Sequence, residues 1–481
     1  MLFNTFEYVA FLAATVAAYY ALSTVRQRML LLVAASYVFY SVWSIPYTLL
    51  MAGTTCWYYF TGARIAAAED EGKRRLWMIV GIAGSLSVLV YYKYKLFFAV
   101  SVIDVLELFG LHFQKPKWDI VLPLGISFHT FQGVSYAIDV YRRTTAPTKD
   151  FLSFAVYSSF FPQLIAGPIE RKGDMLPQLQ AKQLFDWENF RNGINFILLG
   201  LFKKVVIADN LAGFADPIFA DPSKYSSIDL LLGAYAFSFQ IYFDFSAYSQ
   251  IAIGSALLLG INLSQNFNAP YMAVNIVDFW RRWHMTLSRW LRDYLYIPLG
   301  GSRVSPLRRY FNLIATMVLG GLWHGANWTF VVWGAYHGIL LSINHLFRRW
   351  RGGRETVPTM TPWKMALGIL VTFHAVTLGW IVFRAPSLQS AVAYLSGLVG
   401  DNQVAMSPKA PMAMGLMALV AAVWTINYLL RERIAYLFQD RVAERLYAPS
   451  IVAQATYLIV VIAAIAIGAD YGTGKFIYFE F

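Results

Sequence analysis

Charge is what this sequence has least of. Asp, Glu, Lys and Arg make up 14% of its 481 residues and the hydrophobic set 58%, where a soluble domain carries about 25% charged residues. That excludes an ordinary soluble enzyme and implies a polytopic membrane protein. At about 20 residues per helical crossing the chain has room for roughly a dozen membrane-spanning and re-entrant helices. The expected fold class is therefore all-α, with residues 1–481 forming one integral domain around a central cavity. Cysteine is nearly absent, Cys56 standing alone, so an intramolecular disulfide is excluded. No basic n-region precedes the first apolar run, where Glu7 stands instead, and Phe6 to Leu22 reads as a membrane segment instead of a cleaved signal. No repeat of 20 to 50 residues and no low-complexity block is visible.

The net charge of +12 is spread over short loops between apolar runs. This fits the positive-inside bias and not a nucleic-acid-binding face. Aromatic residues are abundant at 17%, with 15 Trp and 30 Tyr, which fits interfacial belts and polar-tipped interior linings.

In chain order, an apolar run from Leu30 to Phe60 is interrupted at Pro46, which marks a hairpin or kink. Spans are expected near Leu76 to Tyr92 and Leu96 to Leu111. The segment from Val121 to Arg143 carries Ser127, His129, Gln132, Ser135 and Asp139 at helical spacing, so one face looks onto protein or water. Phe190 to Ile207 ends in Lys203 and Lys204, read as last-turn cations near the headgroups. Ala234 to Leu263 holds Asp244 at its middle, a carboxylate too costly to bury without a partner, an arginine or a histidine. Further spans are expected near Met365 to Phe383, Met412 to Leu430 and Ile451 to Ile467. A charged helix, RERIAYLFQDRVAERL, and an interfacial tail, KFIYFEF, complete the chain.

The stretch from Asp278 to Gly338 places His284 in FWRRWHMTLSRWLRDYL and His324 in LGGLWHGANWTFVVWGAYHG. Titratable groups at membrane depth face a bundle interior or wet cavity and mark functional sites. A helix beginning near Phe279, capped by Asn275 or Asp278, would align Trp280, His284, Leu287 and Leu291 on one face. Arg281, Arg282, Arg289 and Arg292 occupy the remainder, too many charges for a span, so the helix should lie in the interface or re-enter. Those arginines anchor to headgroup phosphates or hold a phosphorylated donor. Gly320 and Gly321 permit close helix approach beside His324. Asn327, one turn on, is its expected polar partner, with Trp323 beside it. His129, His337, His345 and His374 read as core or boundary histidines. The 40-residue gap between His284 and His324 and the single cysteine give no metal-ligand spacing. From Phe311 to Phe347 the chain either crosses twice or dips and returns, if both flanking basic clusters share one side.

NFNAPY, FWRRWHMTLSRWLRDYLYIPLGGSR and LGGLWHGANWTFVVWGAYHG, with PLGISFHTFQ, QLIAGPIER, YFDFSAYSQIAIG and the terminal FIYFEF, resemble the membrane-bound O-acyltransferases, in their alginate O-acetylation branch. The signature region covers residues 266–338. The resemblance implies that His324 is the catalytic histidine and that His284 is the second active-site position, which is asparagine in some members. Where the branch has FSGYSD, this chain has Ala247 and Gln250, so no carboxylate role carries over to position 250. A multi-pass protein of the bacterial inner membrane is implied, with acetyl-CoA as donor substrate and no bound cofactor. An extracytoplasmic acetyl-transfer protein and a polysaccharide acceptor such as alginate are implied as partners. Peptidoglycan, cellulose and teichoic acid are related acceptors. A transporter or flippase is the rival from another class, opposed by the missing repeat and by polar residues gathered in two histidine blocks.

Overall fold

Caps and prolines set the helix boundaries in the computed structural model, which describes residues 1, 3–165, 167–350, 352, 361–400, 404–429 and 465. Within those residues all regular structure is helical. The expected span near Ile451, the RERIAYLFQDRVAERL helix and the terminal tail lie outside the described residues. The chain divides into two compact units, one of residues 1–197 and 251–264, the other of 198–250 and 265–481.

In the first unit Thr5 caps Phe6–Ala21, and a reciprocal Thr24/Gln27 capping box opens Val25–Ser41. Pro46 enters the first turn of Ile45–Ala67 behind Ser44, where its missing N–H costs nothing, so the proline starts a new helix and makes a hairpin. The two spans expected after it are one helical run, Glu71–Glu107. Neither Pro nor Gly falls between Leu89 and Lys95, and a π-helical turn at Val90–Tyr94 absorbs the irregularity. Ile126–Tyr141 begins after Gly125, whose φ of 71° and contact with the Leu164 carbonyl leave no room for a Cβ. Its Ser127, His129, Gln132 and Ser135 are all buried, as the polar face requires.

The second unit contains the histidine blocks. Pro306–His324 and Trp328–Trp350 form a helical hairpin. A Cβ on Gly321 would stand 2.1 Å from the Phe330 carbonyl oxygen, one on Gly334 2.3 Å from that of Met317, and one on Gly338 2.6 Å from the Ile314 Cα. The paired positions fall along one helix as they climb the other, so the helices are antiparallel and in backbone contact, as small residues allow. This region therefore goes out and returns, which brings Arg308 and Arg309 to the same end as Arg348 and Arg349. At 1.5 Å per residue the shorter arm is about 28 Å long, close to hydrocarbon thickness.

Among the described residues three helices are long and apolar enough to cross a membrane, Glu71–Glu107, Trp328–Trp350 and Pro362–Arg384, so the chain is all-α and multi-pass. The shorter apolar helices are Phe6–Ala21, Leu388–Val399 and Ala410–Val423. Ser227–Leu257 is long, 31 residues, but its buried Ser238, Gln240, Asp244, Ser246, Ser249, Gln250 and Ser255 dilute its apolar character. A polar lining thus hides such helices from a count based on hydropathy.

Candidate active site

Around His284 the helix expected from Phe279 is broken in two. Asn275 caps Ile276–Arg282, its side chain accepting from the Asp278 N–H. Trp283 is extended and His284 is left-handed at φ 40°, ψ 57°, before Met285–Leu291 begins. The break has a cause in NFNAPY, which runs alongside: the Asn268 N–H donates to the Arg282 carbonyl at 3.0 Å and the Met285 N–H to that of Asn266 at 2.8 Å. The face survives the break, since Trp280, His284, Leu287 and Leu291 are buried while Arg281, Arg289 and Arg292 are exposed.

Asn266 organises the imidazole. Its Oδ1 lies 3.2 Å from His284 Nδ1 and accepts from the Thr286 hydroxyl at 2.6 Å, while its Nδ2 donates to Ser249 Oγ at 3.3 Å. An amide oxygen can only accept, so Nδ1 carries the proton and Nε2 keeps its lone pair. The ring is fully buried, with Phe245 edge-on at 4.7 Å. Burial holds its pKa well below the ordinary imidazole value, so it is neutral at physiological pH.

His324 is the last residue of its helix and is buried. Its ring stands edge-on to Trp333 and Phe383, each at 5.3 Å, and to Trp323 at 4.9 Å. The Trp323 indole also lies 5.9 Å from the His284 ring. The two imidazoles that sequence singled out therefore share one indole wall. The polar partner expected for His324 is not Asn327. That side chain donates to the Pro386 carbonyl at 2.9 Å and accepts from the Thr329 N–H at 3.1 Å, because the helix starting at Trp328 needs a cap.

The other expected residues are more dispersed. Trp280 packs on Trp333 at 5.8 Å and on His337 at 5.2 Å, and against neither of the expected pair. Asp244 finds its counterion in Lys204 at 2.7 Å, and Lys204 also meets Asp209 at 2.8 Å. Lys204 is thus no headgroup cation, since it and Lys203 are both buried at the π-helical turn Lys203–Ala208. Arg282 is held by Asp278 at 2.8 Å and Arg292 by Asp293 at 2.7 Å, which leaves Arg281 and Arg289 as the more available of the four cations. Gln250 is buried.

Of the histidines read as core, His129 takes Thr54 Oγ1 at 2.9 Å and the Ser158 carbonyl at 3.2 Å, and His374 takes the Tyr235 hydroxyl at 2.8 Å. His337 differs: it is fully buried, yet neither ring nitrogen has a hydrogen-bond partner among the described residues. A buried polar group left so costs about 1–3 kcal/mol. Sequence reasoning missed Asn266, Thr286, Trp333 and Phe383 as site residues, although NFNAPY is among the segments that carry the family resemblance. Among the described residues no group of three or more His, Cys, Asp or Glu could hold a metal.

Two buried imidazoles beside one indole, one of them oriented by Asn266, in a chain with membrane-length helices are an arrangement of the kind acid–base group transfer uses. The chain belongs to the membrane-bound O-acyltransferase family, whose model matches residues 142–377. It is 40% identical to the peptidoglycan O-acetyltransferase of Helicobacter pylori, over 84% of this chain and 81% of that protein. It is 44% identical to the probable alginate O-acetylase AlgI of Pseudomonas aeruginosa, over 77% of this chain and 70% of that one. To the teichoic acid D-alanyltransferase of Bacillus subtilis it is 30% identical, over 56% and 70%.

Proposed function

We propose that this chain is an acetyl-CoA-dependent O-acetyltransferase of the bacterial cytoplasmic membrane, passing acetyl groups across the bilayer for O-acetylation of an extracytoplasmic polysaccharide of the alginate kind. The observation that supports it most is the placement of His284 and His324 against one buried indole, Trp323, in a chain whose relatives include O-acetylases at 40–44% identity. A charged nucleotide donor does not enter hydrocarbon, so it reaches the cavity through protein from the cytoplasmic side. Exposed Arg281 and Arg289 are suited to phosphate, whether of the donor or of lipid.

In the transfer the acceptor hydroxyl oxygen attacks the thioester carbonyl carbon and its proton passes to His324. The tetrahedral intermediate collapses with loss of the thiolate, which takes up the proton that His324 had accepted. His284, its Nδ1–H fixed by Asn266, holds the other reacting group by accepting a hydrogen bond at Nε2. Aromatic walls keep water from the thioester. In this reading residues 1–481 work as one integral domain of about a dozen spanning or re-entrant helices. An extracytoplasmic acetyl-transfer protein carries the group onward.

Peptidoglycan is the second acceptor reading, favoured by the length over which the Helicobacter relative aligns. The test uses sealed proteoliposomes of purified protein with labelled acetyl-CoA on one side and alginate or peptidoglycan fragments on the other. His324→Ala, folded and monodisperse, is expected to lose about 10²-fold or more of the transfer activity. Activity within a few-fold of wild type, or thioester use only from the extracytoplasmic side, would sink the reading.

A further inference from the structure

His337 sits one helical turn beyond Trp333, in a box of rings. Phe279 lies at 6.3 Å, Trp280 at 5.2 Å, Trp333 at 4.8 Å and Tyr336 at 5.5 Å from it. Both its ring nitrogens, and the Nε1 of Trp280 and of Trp333, lack a hydrogen-bond partner among the described residues. Buried His129, by contrast, has a partner at each ring nitrogen, Thr54 Oγ1 and the Ser158 carbonyl. Buried polar atoms in native interiors are answered by protein, by ordered water or by a bound group, and four of them without a protein partner gather at this one cluster of rings.

The walls define the guest. Indole N–H groups only donate, so it must bring an acceptor oxygen. None of the four rings enclosing His337 carries a charge, so the guest is neutral when it enters. Gly379 limits its size and secures its place: a Cβ there would stand 2.9 Å from His337 Nε2 and 3.3 Å from the Tyr336 ring. The box also adjoins the reaction, because Trp333 stands against His324 at 5.3 Å. A small neutral acceptor beside the base of an acyl transfer is the thioester carbonyl.

We propose that the Trp280, Trp333 and His337 box receives the carbonyl oxygen of the donor thioester and donates hydrogen bonds to it as charge develops. This rests on the acyl-transfer reading above. When the acceptor hydroxyl adds to the carbonyl carbon, the C=O electron pair moves onto the oxygen within reach of the indole and imidazole N–H groups. The pair returns as the C–S bond breaks. Preorganised donors in a dry site are worth far more at that moment than when the substrate first binds.

Acetyl-CoA turnover, its KM and the thermal midpoint are measured on purified wild type, His324→Ala, His337→Phe, His337→Gln, Trp333→Phe and Gly379→Ala. His337→Phe is expected to lower kcat about 10²-fold, with KM for acetyl-CoA within threefold and the thermal midpoint unchanged. His337→Gln, which keeps an N–H donor, should recover at least tenfold of that loss. Trp333→Phe should lower kcat while keeping the ring, and Gly379→Ala should mimic His337→Phe. A kcat within threefold of wild type for His337→Phe means that the box holds only water and overturns the proposal. So does an equal loss in the Phe and Gln variants accompanied by a lowered thermal midpoint, which is the mark of packing. If wild type and His324→Ala turn over alike, the transfer reading itself falls and takes the guest with it.

Discussion

Lys204→Met should destabilise the protein well beyond what lost side-chain packing would do, and a second substitution should mend it. The Lys204 ammonium lies 2.7 Å from Asp244 and 2.8 Å from Asp209, with its side chain 2% exposed. At an effective dielectric of about 20, each contact is worth about 6 kcal/mol of gross attraction. Desolvation of three charged groups cancels most of that, so the intact cluster adds little net stability. Removing only the cation takes the ammonium from the buried Asp244 and the partly buried Asp209 and costs about 3–5 kcal/mol. With an unfolding entropy of about 2 cal/mol/K per residue, a chain of 481 residues loses about 1 °C of Tm for each kcal/mol. Thermal unfolding of purified protein in one detergent should therefore show a Tm lowered by about 3–5 °C in Lys204→Met. At least half should be recovered in Lys204→Met/Asp244→Asn, where one anion is gone as well. A single variant within 1 °C of wild type, or a double variant less stable than the single, would refute the assignment of Lys204 as the cation that this cluster needs.

Asn266→Ala should lower kcat by about 10- to 100-fold, the usual effect of removing a group that orients a functional histidine. It should also broaden the His284 ring signals in NMR of ring-labelled protein; sharp, unshifted signals would deny Asn266 its role in fixing the tautomer. Gly334→Leu places a side chain where a Cβ alone would meet the Met317 carbonyl oxygen at 2.3 Å, and overpacking of about 1–3 kcal/mol or more is expected, read as a lower Tm and loss of activity together. If Gly334→Leu unfolds like wild type, the hairpin is not in backbone contact. Spin labels at Arg281 and Arg289 should report headgroup depth in nanodiscs, and a label at either position immersed at the bilayer centre would contradict an interfacial placement.

Much of the site was legible because its chemistry is carried by residue types that are costly in hydrocarbon. His284, His324 and Asp244 stand out in apolar runs, and the arginine-bearing face around Phe279 could be drawn from periodicity alone. The periodicity did not reveal the break at Trp283 and His284, since the strand-like NFN segment that causes it lies far enough upstream that only tertiary hydrogen bonds connect the two. Asn327 misled for a related reason: its spacing suits a partner for His324, but the local need of a helix N-terminus took both ends of its amide. Lys204 was misplaced because a lysine at the end of an apolar run reads as an interface anchor, while in the structure the run continues as helix to Ala220. The span count fell short where buried polarity is richest. Ser227–Leu257 buries a row of hydroxyls, amides and a carboxylate, so the helix that lines the interior is the one that hydropathy passes over.

The left-handed backbone at His284 restricts what evolution can place there. At φ 40° a β-branched side chain is a steric outlier, while histidine, asparagine and aspartate are the L-residues that tolerate this region best. Histidine and asparagine are also the two that the wider family is expected to use at this position. Their interchange therefore need not reflect equivalent chemistry. A bend imposed by the neighbouring NFN segment admits only a short roster of side chains, and whatever position 284 does is done by one of them.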